Sequence, residues 1–259
     1  MSFFFNKFVN RYIITGTLTA VDPLHIGNSG NDTLDPVDVD SAVLKDSCGR
    51  ALIPGSSLKG VIRSLFESVI RSAAGLDDYD SHYACDVLDE EKCCTAGISN
   101  DKEYKALKGL KKAERAWENS CAACKLFGGR EIAGRLMFKD CIQKLPEGGK
   151  PLYEYRDGVG IDRKTGSAKK GCKYDYEIVP AGTEFDFCLI AENLTEEQEK
   201  YLEFIVNQLR GGNIAVGGKT SRGLGRVKLV NDNFEEARKN ACAPVEELRR
   251  ILQGAKEEQ

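Results

Sequence analysis

The chain has 259 residues, of which 41% are hydrophobic and 30% charged, enough for one large domain or two small ones and ordinary for a soluble globular protein. A formal net charge of −3 argues against coating nucleic acid by bulk positive charge, while leaving room for a local basic track. No apolar run approaches the roughly 18 residues that span a bilayer, and the opening Met1-Ser2-Phe3-Phe4-Phe5 lacks an h-region and a cleavage site, so the expectation is no membrane and a cytoplasmic location.

In chain order, residues 11–21 are β-branched and alternating, which predicts a first strand. Leu58, Val61, Ile62, Leu65, Phe66, Val69 and Ile70 then recur at helical spacing, predicting a long helix with one apolar face that ends near Gly75. Residues 134–142 and 184–191 read as strands. Thr195-Glu196-Glu197-Gln198 is a capping box, and Leu202, Ile205, Val206 and Leu209 give the following helix its buried stripe before Gly211. Residues 224–230 predict a last strand, and a polar helix carrying Val245, Leu248, Ile251 and Leu252 follows. The order β-α-β-β-α-β is that of the α+β, ferredoxin-like (RRM-like) unit. A single domain is therefore expected, with its core at about 8–74, 131–145 and 183–232. Two insertions interrupt it, a cysteine-rich one at 75–130 and a Gly-, Lys- and Tyr-rich hairpin at 146–182, and 233–259 forms the C-terminal helix.

Charge is segregated along the chain. Acid gathers between 77 and 91 and from Glu246 onward, whereas base gathers at Arg156, Arg163, Lys164, Lys169, Lys170 and Lys173, and again at Arg210, Lys219, Arg222, Arg226 and Lys228. A groove for nucleic acid on an otherwise acidic body needs that distribution. Ile53-Pro54-Gly55-Ser56-Ser57-Leu58-Lys59-Gly60 opens the first long helix, whose N-terminal N–H groups and partial positive charge suit an anion, with Lys59 and Arg63 in its first turns. Upstream stand His25-Ile26-Gly27 and a loop with Asp32, Asp35, Asp38 and Asp40, four carboxylates able to hold Mg²⁺ or Ca²⁺, although the EF-hand pattern fails. His25 could serve as a phosphate ligand or base, but only His25 and His82 occur in the chain, so a two-histidine ribonuclease mechanism is not expected.

Gly217-Gly218-Lys219-Thr220-Ser221-Arg222-Gly223-Leu224-Gly225 resembles the end of a P-loop, but Asn213 stands where the first glycine is needed, and the order is helix to strand rather than strand to helix. The NTPase reading is rejected. A basic glycine loop still offers N–H groups, Lys219 and Arg222 to phosphates. In the second insertion, base at 158–170 is flanked by Tyr153, Tyr155, Tyr174 and Tyr176, which is charge for phosphates beside faces for stacking.

Ten cysteines in a reduced cytoplasm point to metal rather than disulfides. Cys121-Ala122-Ala123-Cys124 offers two zinc ligands from one turn, and Cys85 with one of Cys93 and Cys94 completes four, with His82 as a possible replacement. Spacing does not separate Cys93 from Cys94. We place the structural Zn²⁺ on Cys85, Cys93, Cys121 and Cys124, as a staple for an insertion without a core of its own. Cys48, Cys141, Cys172, Cys188 and Cys242 read as small hydrophobes.

His25-Ile26-Gly27, the acidic loop ending Asp40-Ser41, residues 53–60, Leu126-Phe127-Gly128, Ile161-Asp162-Arg163 and Ser221-Arg222-Gly223-Leu224-Gly225 follow one another in an order that resembles the backbone subunits of type III CRISPR effector complexes, members of the RAMP superfamily. The likeness spans nearly the whole chain, and the cysteine insertion looks most like the zinc-bearing members of type III-D systems. Ala42 departs from the Pro that many relatives carry after Asp-Ser.

The resemblance implies subunits that stack into a filament along a crRNA, beside other RAMP subunits of the complex. The inserted hairpin acts as a thumb that displaces a base of the duplex with target single-stranded RNA about every six nucleotides, base pairing reading the sequence while protein holds the backbones. It further implies RNA binding by His25, Lys59, Arg63, Arg163, Lys219, Ser221 and Arg222, and Mg²⁺- or Mn²⁺-dependent endoribonuclease cleavage in which Asp40 is the catalytic carboxylate, with Asp38 as the competing choice. A purely structural backbone subunit is the main alternative reading, and a zinc-dependent protein-interaction module the remote one.

Overall fold

A computed structural model of the chain describes residues 7–27, 41–99 and 101–257. Its elements are, in order, β1 (Arg11–Ala20), β2 (Leu52–Ile53), α1 (Gly55–Ala73), α2 (Ala96–Ser99), α3 (Lys102–Ala106), α4 (Gly109–Glu118), α5 (Ala122–Phe127), β3 (Leu136–Phe138), β4 (Cys141–Ile142), β5 (Glu154–Ile161), β6 (Ala168–Ile178), β7 (Glu184–Glu192), α6 (Glu196–Arg210), β8 (Ile214–Ala215), β9 (Arg226–Val230), α7 (Phe234–Lys239) and α8 (Ala243–Glu257). The class is α+β. A five-stranded sheet in the order β3-β7-β1-β9-β8 carries the body, and every neighbouring pair in it is antiparallel.

Alternation along β1 explains the sheet's two faces. Tyr12, Ile14, Leu18 and Ala20 are buried while Arg11, Ile13 and Thr15 are exposed, and β7 repeats this with Phe185, Phe187, Leu189 and Ala191 inward. Their register pairs Ile14 with Leu189 and Leu18 with Phe185, so inward side chains stand side by side on one face. Helices α1 and α6 meet over that core, where Phe66 of α1 packs edge-on against Tyr201 of α6 with ring centroids 5.2 Å apart. The capping box on α6 is present: Thr195 accepts from the Gln198 N–H, and the Gln198 side chain accepts in return from the Thr195 N–H.

Two expected elements divide. The predicted strand at 134–142 is broken after Phe138; β3 joins the main sheet, whereas β4 pairs with β2 in a separate ribbon. Asp140 makes the break useful, since its carboxylate accepts the Gly55 N–H at 2.8 Å and so caps α1 from outside. The expected C-terminal helix is likewise two helices, α7 and α8, with Ala241 buried between them.

The hairpin β5–β6 projects from the body and is mostly exposed until Tyr176, Glu177, Ile178 and Val179, which are buried. The cysteine-rich segment forms the short helices α2 to α5, which were not foreseen, and it does have a small cluster of its own, Ile98, Tyr104 and Ala116. Three buried residues are a thin core, so a covalent or metal cross-link would still matter to it.

Candidate nucleic-acid interface and metal centre

His25 sits at the exit of β1, where Leu24 bridges to Val179 at the foot of the hairpin. Its ring is buried, and both nitrogens are engaged: Nδ1 lies 2.7 Å from the Glu177 carbonyl oxygen and Nε2 3.1 Å from Ser41 Oγ. A carbonyl can only accept, so the hydrogen sits on Nδ1, and Nε2 accepts from the Ser41 hydroxyl. Burial lowers the pKa of His25 below its ordinary value; the Glu177 carbonyl opposes this, and the Lys219 charge adds to it. The neutral imidazole follows. Both ring nitrogens of His25, expected from the sequence among the RNA ligands, are thus engaged within the protein, where they hold the segment that begins at Ser41.

Glu177 bolts the same place from below. It is 1% exposed, and its carboxylate accepts from the Val43 N–H at 3.0 Å and from Lys45 Nζ at 2.7 Å, while its own N–H donates to the Ser41 carbonyl at 3.0 Å. A buried carboxylate requires such partners. Sequence reasoning missed it, yet a charge inside the apolar run Tyr176-Glu177-Ile178-Val179 was the available signal.

The glycine loop closes over His25 from the other side. The Gly218 N–H donates to the His25 carbonyl at 2.8 Å, and a Cβ on Gly217 (φ +83°) would lie 2.3 Å from that oxygen, so only glycine fits. Lys219 follows in the left-handed region at φ 60°, unusual for a lysine, with its ammonium 4.4 Å from the Tyr176 ring centroid. Thr220, Ser221 and Arg222 form one 3₁₀ turn. Arg222 is exposed and hydrogen-bonds the Tyr174 hydroxyl, and Tyr174 stacks on Tyr176 with centroids 6.1 Å apart. Lys219, Ser221, Arg222 and the two tyrosines thus gather at the foot of the hairpin. Arg163 stands apart at its exposed tip, in a turn where Asp162 accepts the Lys164 N–H at 2.7 Å. Other members of the basic set are neutralised: Arg210 pairs with Asp232 at 2.7 Å, Arg226 with Asp22 at 2.6 Å and Lys173 with Asp157 at 3.2 Å.

The start of α1 is tighter than its sequence implied. A Cβ on Gly55 would sit 2.1 Å from the Phe138 carbonyl oxygen, and the Asp140 carboxylate already occupies the Gly55 N–H. An external anion would meet a resident one there. Lys59, one turn on, is half-buried, and burial together with the neighbouring Arg63 charge lowers its pKa. Arg63 points inward. Its Nε donates to Glu67 at 2.6 Å, Nη1 to the Gly128 carbonyl at 2.8 Å and Nη2 to Cys124 Sγ at 3.4 Å. All three of these contacts direct Arg63 into the protein.

Four sulfurs come together in the insertion, those of Cys85, Cys94, Cys121 and Cys124, all within 4.8 Å of one another. Cys94 replaces the expected Cys93, whose thiol instead contacts the Glu90 carbonyl at 3.5 Å and Thr95 Oγ1 at 3.7 Å. Adjacent residues on an extended or turning chain point to opposite sides, so only one of the pair can face the other three. His82 is exposed, its ring edge-on to Tyr83. The separations Cys85–Cys124 at 3.6 Å and Cys85–Cys121 at 3.7 Å are far beyond a disulfide. They match the edge of a tetrahedron with zinc–sulfur bonds of about 2.3 Å, which is about 3.8 Å. The donor set therefore fits Zn²⁺. Crowding also polarises the thiols: contact with Cys124 above all pulls the Cys121 pKa down, and the same contact pushes Cys124 up.

Asp32, Asp35, Asp38 and Asp40 lie outside the described residues, so the structure first picks up this loop at Ser41. Among the described residues no helix is long and apolar enough to cross a membrane.

Known proteins accord with this arrangement. A family model described as the RAMP superfamily matches residues 17–228. The chain is 29% identical over 229 residues to the "CRISPR system Cms endoribonuclease Csm3" of Methanocaldococcus jannaschii, covering 85% of this chain and 78% of that protein. Proteins of the same name from Mycobacterium tuberculosis and Streptococcus thermophilus are each 29% identical, over 84% and 79% of this chain and 86% and 80% of their own lengths. The matched span takes in the end of β1, α1, the thiol cluster, the hairpin and the glycine loop, and by it this chain belongs to the RAMP superfamily.

Proposed function

We propose that this chain is a backbone subunit of a type III CRISPR RNA-guided effector, binding crRNA and cutting complementary target RNA as an endoribonuclease. The names of its relatives support the activity, and one structural observation carries it to particular residues. Ser41, the residue after Asp40, is tied through His25 to the same place where Lys219 and Arg222 gather beneath the hairpin. Ser41, the glycine loop and the foot of the hairpin thus meet around His25, which supports placing the RNA path there. Lys59, Arg163, Lys219, Ser221 and Arg222 hold RNA, with His25 positioning rather than binding. Strand order supports a ferredoxin-like core, since β3, β7, β1 and β9 carry the order expected of a split β-α-β-β-α-β unit. The segments 75–130 and 146–182 are its zinc-binding and thumb insertions, and copies stack into a filament alongside other RAMP subunits.

In the reaction a nucleotide displaced by the hairpin has its 2′-hydroxyl free to line up on the adjacent phosphorus. Asp40 takes the hydroxyl proton, the 2′-oxygen bonds to phosphorus, and the P–O5′ bond breaks, the 5′-oxygen taking a proton from water, giving a 2′,3′-cyclic phosphate and a 5′-hydroxyl. A divalent ion, Mg²⁺ or Mn²⁺, supplies charge stabilisation when bound. Its carboxylate donors belong to the loop outside the described residues. The four thiols support the zinc-bearing character of the chain, with Cys94 in place of Cys93.

Asp40→Ala in the assembled complex tests this. Target binding should persist while cleavage at regular intervals is lost, and EDTA should stop the wild type. Unchanged cleavage by the variant would remove Asp40 from the chemistry, and a wild-type assembly that never cuts would be a structural subunit.

A further inference from the structure

The sequence places Arg63 one turn beyond Lys59, where it reads as a second phosphate ligand. Its surroundings say otherwise. The side chain is 16% exposed, and three of its N–H groups are directed at Glu67, the Gly128 carbonyl and Cys124 Sγ. The loop it reaches is built closely around the thiol: a Cβ on Gly129 would stand 3.1 Å from Cys124 Sγ, and Gly128 has φ +98°. Cys124 is also bound into the knuckle through its N–H, which donates to Cys121 Sγ at 3.4 Å.

Electrostatics gives that contact a purpose. Four thiolates around one Zn²⁺ leave two surplus negative charges, and Cys85, Cys121 and Cys124 are each buried to within about a hundredth of their surface. A guanidinium donating to one sulfur offsets part of that charge and lowers the electron density on the ligand, as hydrogen bonds from beyond the ligands generally do. Its second arm holds the Gly128 carbonyl, and Glu67 fixes the plane of the fork. We propose that Arg63 is a positioning residue of the metal centre, fastening the Cys124 loop to α1 and neutralising the thiolate site, and that it is not a ligand of RNA. This rests on the zinc reading above.

The test measures zinc and RNA separately on the full-length protein. Zinc affinity is read by competition with a coloured chelator, and guide RNA affinity is read as a function of salt. Arg63→Met, similar in length and uncharged, should weaken zinc by about 10- to 100-fold. Arg63→Lys, which keeps the charge and loses the fork, should fall between it and the wild type. The salt slope for RNA should be unchanged in both, whereas loss of a phosphate contact would reduce it by about 0.7. With Co²⁺ in place of zinc, the sulfur-to-cobalt charge-transfer band should shift in Arg63→Met while the tetrahedral d–d bands persist. Wild-type zinc affinity in both variants, or a reduced salt slope, would overturn the proposal. If Arg63→Met does not fold, Arg63→Lys decides by the same two readouts. A wild-type protein that takes up no zinc would instead remove the metal site itself.

Discussion

Ser41 Oγ lies 3.1 Å from His25 Nε2, and together with the Glu177 N–H, which donates to the Ser41 carbonyl, this contact joins the end of the acidic loop to the foot of the projecting hairpin. Because Nδ1 of the same ring is committed to the Glu177 carbonyl, the imidazole has one tautomer in which it can accept from Ser41. Protonation would make Nε2 a donor and require the Ser41 hydroxyl to turn and accept instead. The neutral ring thus sets the direction of the bond that holds the residue next to Asp40.

His25→Ala removes two hydrogen bonds and a buried ring, and should cost about 3 kcal/mol by chemical denaturation. Cleavage by assembled complexes should fall further than target binding. His25→Gln, which can donate and accept, should recover part of both.

The pH dependence follows from the lowered pKa of His25, whose ordinary value is 6.5. The unfolded chain binds the proton more readily than the folded one, so this contribution is complete above pH 6.5 and is lost as pH falls below it toward the folded-state pKa. Wild-type stability should drop on acidification through that window by at most about 1.4 kcal/mol per pH unit from this residue. In His25→Gln that component of the slope should vanish, which denaturation curves at several pH values can read.

Cys94→Ser should lose stoichiometric zinc and melt at lower temperature, while Cys93→Ser should retain both metal and melting temperature. Elemental analysis of the two purified variants separates them. The reverse result would mean that the chain turns the other way at the pair.

Gly217→Ala meets two obstacles, a left-handed φ of +83° and a Cβ 2.3 Å from the His25 carbonyl oxygen. It should cost at least about 2 kcal/mol and loosen the glycine loop. Guide RNA affinity should weaken with it, whereas Gly97→Ala, exposed on α2 with open space around its Cβ and no positive φ, should leave RNA affinity near wild type.

Lys219→Ala combined with Arg222→Ala should reduce the salt slope for single-stranded RNA by about 1.4, two contacts at about 0.7 each. Fluorescence anisotropy across a salt series measures it. An unchanged slope would move the RNA path away from the glycine loop.

Local pattern settled much of this protein before any coordinates. The period of the apolar residues defined α1 and α6, the Thr195–Gln198 box marked the start of α6, and alternation defined β1, β7 and β9, because each of these depends on neighbours within a few residues. The motif order was enough to reveal the family, and the C-x2-C turn pointed to a four-sulfur site. Only the tertiary structure decided which partners those residues meet. Cys93 and Cys94 are equivalent in spacing and differ only in which way the chain turns toward Cys85, Cys121 and Cys124. Arg63 shares a helical face with Lys59, but Cys124 lies 61 residues away and takes its guanidinium. Glu177 and Asp140 carry no motif at all; their roles arise from main-chain groups 134 and 85 residues distant along the chain, which come within hydrogen-bonding reach only when the sheet and helices close.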